Sequence, residues 1–143
     1  MSSKQHERTR ARRSALQVMY QGEILGVAPI ALVNDRKLVE ETKHLDPYAL
    51  SLLEGCGNKT DVLDGHIIKA SENWALDRMP VVDRSLLRLS TYEMVYVDDV
   101  PISVSINEAV NLAKEFGGEE SPRFVNGILG RIALQLEEEV SGD

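Results

Sequence analysis

The sequence predicts an all-α fold of about seven helices, and three observations predict it. Apolar residues recur at spacings of three and four in a series of separate runs. Cap-then-proline pairs and glycine pairs punctuate those runs. No stretch shows convincing two-residue alternation, and 10 glycines with 5 prolines in 143 residues are too few for a loop-rich β fold.

The first helix carries Ala11, Ala15, Leu16, Met19, Tyr20, Ile24 and Leu25 on one face and ends at Gly26 and Pro29. Its opening turns hold Arg8, Arg12 and Arg13, so these arginines sit on ordered helix. A weaker second helix is expected from Ile30 to Thr42. Asp46-Pro47 pairs an N-cap with proline at the first helical position, which opens a third helix through Tyr48, Leu50, Leu52 and Leu53. Gly55 to Asn58 should end it, since each interior glycine costs roughly 1 kcal/mol.

Val62, Leu63, Ile67 and Ile68 mark the fourth helix, leading to Trp74. Pro80 opens the fifth. Its apolar residues, Val81 to Tyr96, lie nearly all round, which predicts a central buried helix stopped by Asp98, Asp99 and Pro101. Val100 to Ile106 reads as an extended connector, and Ser105-x-x-Glu108 as the capping box of the sixth helix. That helix runs through Ala109, Val110, Ala113 and Phe116 to Gly117-Gly118. Ser121-Pro122 then caps the seventh, with Phe124, Val125, Ile128, Leu129, Ile132 and Leu136 on its stripe. Residues 137–143 read as a frayed acidic tail, and the whole of 1–143 as a single domain.

The net charge of −7 is unevenly distributed. Residues 1–13 hold Lys4, Arg8, Arg10, Arg12 and Arg13 against Glu7, a local +4 that leaves −11 on the rest. A basic arm on an acidic body can bind nucleic acid locally, because charge acts over a Debye length of ~8 Å at physiological salt; the alternative is a solvated, frayed terminus. One cysteine excludes an intrachain disulfide framework, and with only three scattered histidines it argues against structural zinc. No apolar run approaches the ~18 residues of a membrane span, and no apolar stretch follows the basic start as in a secretory signal, so the expected address is the cytoplasm.

Catalysis is not expected. Gly55-Cys56-Gly57-Asn58-Lys59-Thr60 has asparagine where a phosphate loop needs glycine before its lysine, and no strand precedes it. Cys56 has no recognisable base and reads as inert and buried. Glu93 and Asn107 lie beside apolar positions and read as a structural polar pair or a hydrogen bond to a helix end.

The most specific segment runs from Ile106-Asn107-Glu108-Ala109-Val110 through Ala113-Lys114-Glu115-Phe116-Gly117 to Ser121-Pro122-Arg123-Phe124-Val125-Asn126-Gly127-Ile128-Leu129. With Asp83-Arg84-Ser85-Leu86-Leu87-Arg88-Leu89, Tyr92-Glu93 and Arg8-x-Arg10-Ala11-Arg12 upstream, it closely resembles the NusB family of bacterial transcription antitermination factors. The likeness reaches to about Leu136. It implies two helical subdomains packed across each other and a non-catalytic protein without cofactors. It implies as partners the boxA-type RNA of ribosomal RNA leaders, the ribosomal protein NusE and an RNA polymerase antitermination complex. Homodimers are also known in such proteins, and a dimer that buried the arginine helix would compete with RNA.

The resemblance assigns residues as well. Arg8, Arg10 and Arg12 match the family's basic positions and would meet phosphates, Lys4 and Arg13 of the same basic arm would join them, and Tyr20 and Phe124 would meet bases, since single strands are held by phosphate contacts and aromatic stacking. Phe124 competes between that role and the core. Ser121 and Arg123 flank it at a helix start suited to anions, and Glu120 would orient an arginine or accept from a base amine. Asp77 and Asp83 would face NusE, acidic side chains suiting a basic partner, although both also suit the start of the helix near Pro80. Thr9 replaces a frequent arginine, and Arg13 stands where glutamate or another residue is common. The alternative function is a self-associating helical scaffold without RNA specificity. A third class, RNA methyltransferases with a similar N-terminal domain, would need an α/β domain for which the length leaves no room.

Overall fold

A computed structural model describes residues 2–38, 42–72 and 74–141. All regular structure among them is helical, as expected, and the chain forms two compact units, Met1–Lys59 and Thr60–Asp143.

In the first unit α1 (Ser3–Leu25) packs against α2 (Pro29–Asn34) and α3 (Pro47–Asn58). A reciprocal capping box opens α1: Ser2 Oγ accepts from the Gln5 N–H, and Gln5 Oε1 accepts from the Ser2 N–H. The basic residues therefore lie further inside a helix than the pattern suggested. Gly26, left-handed at φ 68°, ends α1. The chain then doubles back so tightly that a Cβ on Gly22 would stand 2.7 Å from the Val27 carbonyl oxygen. Leu16, Val18, Leu32, Leu52 and Leu53 fill the core, each leucine contributing roughly 1.5–3 kcal/mol by burial.

The second helix is shorter than expected. It stops at Asn34, Arg36 turns to φ 55°, and residues 39–41 of the expected span lie outside the described residues. Gly55 and Gly57 are accommodated inside α3, which ends one residue later at Asn58. Cys56 is buried, as expected.

The second unit holds α4 (Thr60–Ser71), a 3-10 turn (Leu76–Arg78), α5 (Val81–Tyr96), α6 (Ile102–Phe116) and α7 (Ser121–Ser141). The helix α5 is central, packing on α4, α6 and α7. Leu86, Leu87, Val125, Leu129 and Ile132 are almost wholly buried around it. Arg88 ties α5 to α4 with a two-pronged bond to Asp64, Nε to Oδ1 at 2.8 Å and Nη2 to Oδ2 at 3.1 Å.

Two expectations are corrected here. The stretch 102–106 is helix, because Pro101 precedes the first turn and its carbonyl accepts from the Val104 and Ser105 N–H groups. Ser105 is thus interior and its hydroxyl donates to Glu93 Oε1 at 2.9 Å, while Ser90 Oγ donates to the Ser105 carbonyl. Glu93 accepts the Ser105 bond within the core, whereas Asn107 is exposed. The acidic end also differs: α7 stays helical through Glu137–Glu139 to Ser141, with Gly142 and Asp143 outside the described residues.

Candidate nucleic-acid interface

The residues singled out from sequence fall into two groups, one in each unit. In the first unit α1 separates them further. At about 3.6 residues per turn, Lys4, Arg8 and Arg12 share one stripe, and Arg10, Arg13 and Tyr20 another. Arg12 is only 6 % exposed. Its guanidinium lies 5.8 Å from the centre of the Tyr48 ring on α3, and that of Arg8 lies 4.4 Å from it. Tyr48 is placed for this by the helix start that Asp46 caps, Oδ1 accepting its N–H at 2.7 Å. Two cations on one ring hold α1 to α3, a geometry worth more as water is excluded. Arg10 and Arg13 are exposed, as is Lys4, and Tyr20 is 45 % exposed. The solvent-facing stripe of α1 therefore offers two guanidiniums and a phenol, the chemistry that suits phosphates and bases.

In the second unit, the turn Gly117–Glu120 and the start of α7 gather Glu120, Ser121, Arg123 and Phe124. Ser121 does not cap the helix. It is buried at the first helical position, and its Oγ accepts from the Gly118 N–H at 2.9 Å. The same hydroxyl faces the Asp83 carboxylate, whose Oδ1 is buried and makes no hydrogen bond. This close docking explains Gly117, where a Cβ would come within 2.6 Å of Ser121 Cβ and Oγ.

Asp83 is placed differently from expectation. At 3 % exposure it faces Ser121 rather than solvent, because the first turn of α5 lies under the start of α7. Burial pushes its carboxyl above the ordinary range, only partly offset by the Ser121 hydroxyl. Asp77 is exposed on the 3-10 turn, where Arg84 Nη1 donates to the Asp77 and Met79 carbonyls at 3.4 and 2.8 Å.

Arg123 and Glu120 are both exposed and stand 3.9 Å apart, an ion pair of little energetic weight. Phe124 is half-buried, neither core nor free platform, with its ring edge-on to Trp74 at 5.7 Å between centres. Trp74 and Arg131 border the same cleft as Arg123 and Phe124. Neither was singled out from sequence, because nothing in a linear pattern brings the loop after α4 against the first turn of α7.

No group of acidic, histidine or cysteine side chains among the described residues could hold a metal ion, and no helix of theirs is long and apolar enough to cross a membrane. A profile described as the NusB family matches residues 9–134. The chain is 43 % identical over 129 residues to the transcription antitermination protein NusB of Streptomyces avermitilis, covering 87 % of this chain and 90 % of that one. It is 40 % identical over 132 residues to the NusB of Bacillus subtilis, covering 92 % and 98 %. Among solved structures, T. maritima NusB superposes with a TM-score of 0.77 at 35 % identity over 90 % of this chain and 91 % of that one. A chain of a crystal structure of antitermination factors NusB and NusE in complex with dsRNA superposes with a TM-score of 0.74 at 25 % identity, covering 91 % and 98 %. Profile, relatives and helical architecture agree over nearly the whole length, and the chain belongs to the NusB family.

Proposed function

We propose that this chain is a non-catalytic transcription antitermination factor of the cytoplasm that binds boxA-type single-stranded RNA with NusE and alters elongation by RNA polymerase. The observation that carries the RNA half is the exposed stripe of Arg10, Arg13 and Tyr20 on α1, with Lys4 also exposed in its first turn, on a chain whose net charge is −7. An acidic protein repels polyanions except where cations are concentrated. The likeness to a chain crystallised with NusE and RNA supports the partners. In the second unit, Arg123, Phe124 and Glu120 are RNA contacts at the start of α7. Arg8, Arg12 and Ser121 act by positioning: the arginines fix α1 on Tyr48, and Ser121 fixes the turn before α7. Asp77 is the exposed acidic contact for NusE, and Asp83 serves by anchoring Ser121.

The test is a titration of fluorescently labelled boxA-like RNA with the full chain, with and without NusE, beside a scrambled RNA and with the mass in solution recorded. Tighter binding of boxA-like RNA, strengthened by NusE, is the expected result. Equal, weak binding of both RNAs with a stable dimer would instead establish the self-associating scaffold.

A further inference from the structure

Trp74 is the only tryptophan of the chain and is 57 % exposed. A single exposed apolar side chain is ordinary, but this one is not isolated. Its ring meets Phe124 at an interplanar angle of 74°, so the two aromatics form a corner rather than a closed stack. The corner borders a cleft of about 270 Å³ that Ile128, Arg123 and Arg131 also line. Arg131 is held in place, its Nη1 donating at 3.0 Å to the Ala70 carbonyl, one of the last unsatisfied acceptors of α4. The cleft thus joins an accessible indole, an apolar floor and two guanidiniums.

That combination selects its occupant. A phosphate alone has no use for two rings, and an apolar side chain gains nothing from two flanking cations. A nucleotide uses both, its base on the aromatic face and its phosphate by the guanidinium. The volume lies below the ~300–1,000 Å³ of a drug-sized ligand site and suits one base. We propose that this cleft is a slot for a single unstacked nucleobase of bound RNA, with Trp74 as its stacking platform and Arg123 and Arg131 as cations for the adjoining phosphates. The inference rests on the RNA-binding reading above and adds to it a binding residue and a one-base slot.

Because no other tryptophan is present, indole emission reports on this slot alone. The full chain is titrated with boxA-like single-stranded RNA, following Trp74 emission and, separately, the anisotropy of labelled RNA. Emission should be quenched over the same concentrations that raise the anisotropy, and the same sequence as a closed duplex should leave it unchanged. Trp74→Ala should weaken single-strand binding about ten-fold, in the range for losing one base–aromatic stack, and Trp74→Phe by less than about three-fold. Helical circular dichroism should be unaltered in both, and if Trp74→Ala fails to fold, the quenching and Trp74→Phe decide. RNA binding with unchanged emission, or with wild-type affinity in Trp74→Ala, overturns the slot and leaves the RNA-binding reading standing. Absence of RNA binding by anisotropy overturns both.

Discussion

Asp83 and the arginines of α1 show how much a residue's role depends on what it faces. The Asp83 carboxyl is raised by burial, so its ionised form is the costly one in the folded protein. The sign follows by linkage: its contribution is most favourable below the ordinary carboxylate pKa and is lost as pH rises through the higher folded value. Asp83→Asn removes that titration. Thermal melts from pH 4 to pH 7 should show wild type losing stability relative to the variant as pH rises, and a constant difference would show that Asp83 does not titrate in the folded state. The arginines divide in the same way. Arg12→Ala removes a buried cation over Tyr48 together with its packed stem, and should cost about 1–2 kcal/mol in denaturant melts. Arg10→Ala, on the exposed stripe, should leave stability within about 0.5 kcal/mol and lower RNA affinity. The sequence showed that both were basic residues on one helix. It did not show Tyr48, contributed by α3, which takes Arg8 and Arg12 for packing.

The helices were legible where periodicity and punctuation agreed, and misread where a polar residue had a partner elsewhere in the fold. Asp46-Pro47 caps α3 as its pattern predicts. Ser105-x-x-Glu108 has the pattern of a cap, yet the Ser105 hydroxyl goes to Glu93 on α5 and the helix starts at Ile102. The site was legible to the same degree: the family-like run placed Arg123 and Phe124 together, but Trp74 joins them only through tertiary packing. Glycines separate local from tertiary demands directly. Gly65, inside α4, has open space around its missing Cβ, so Gly65→Ala should stabilise by about 0.5–1 kcal/mol. Gly117→Ala meets Ser121 and the Ala113 carbonyl oxygen at 2.6–2.8 Å and should destabilise by about 1–3 kcal/mol. Urea midpoints moving in opposite directions check this pair, and a neutral Gly117→Ala would mean that α7 does not dock as described.

Across the whole molecule the governing fact is charge: a chain of −7 carries exposed Lys4, Arg10 and Arg13 close together on the early turns of α1 and Arg123 at the start of α7. A protein partner with basic character should feel the acidic remainder, so Asp77→Lys is expected to weaken NusE binding several-fold in a pull-down titration while sparing RNA binding by the free chain. Equal loss of both would show that the two surfaces overlap. The central claim, that the exposed basic stripe of α1 holds RNA through its phosphates, is tested most directly by the salt dependence of RNA affinity. With Lys4, Arg10 and Arg13 each neutralising a phosphate of a single strand, these three alone contribute about −2 to the slope of log affinity against log salt, and replacing both Arg10 and Arg13 by alanine should make the slope shallower by about 1.4. A flat dependence in the wild-type chain, or a slope unchanged in the folded double variant, would contradict it.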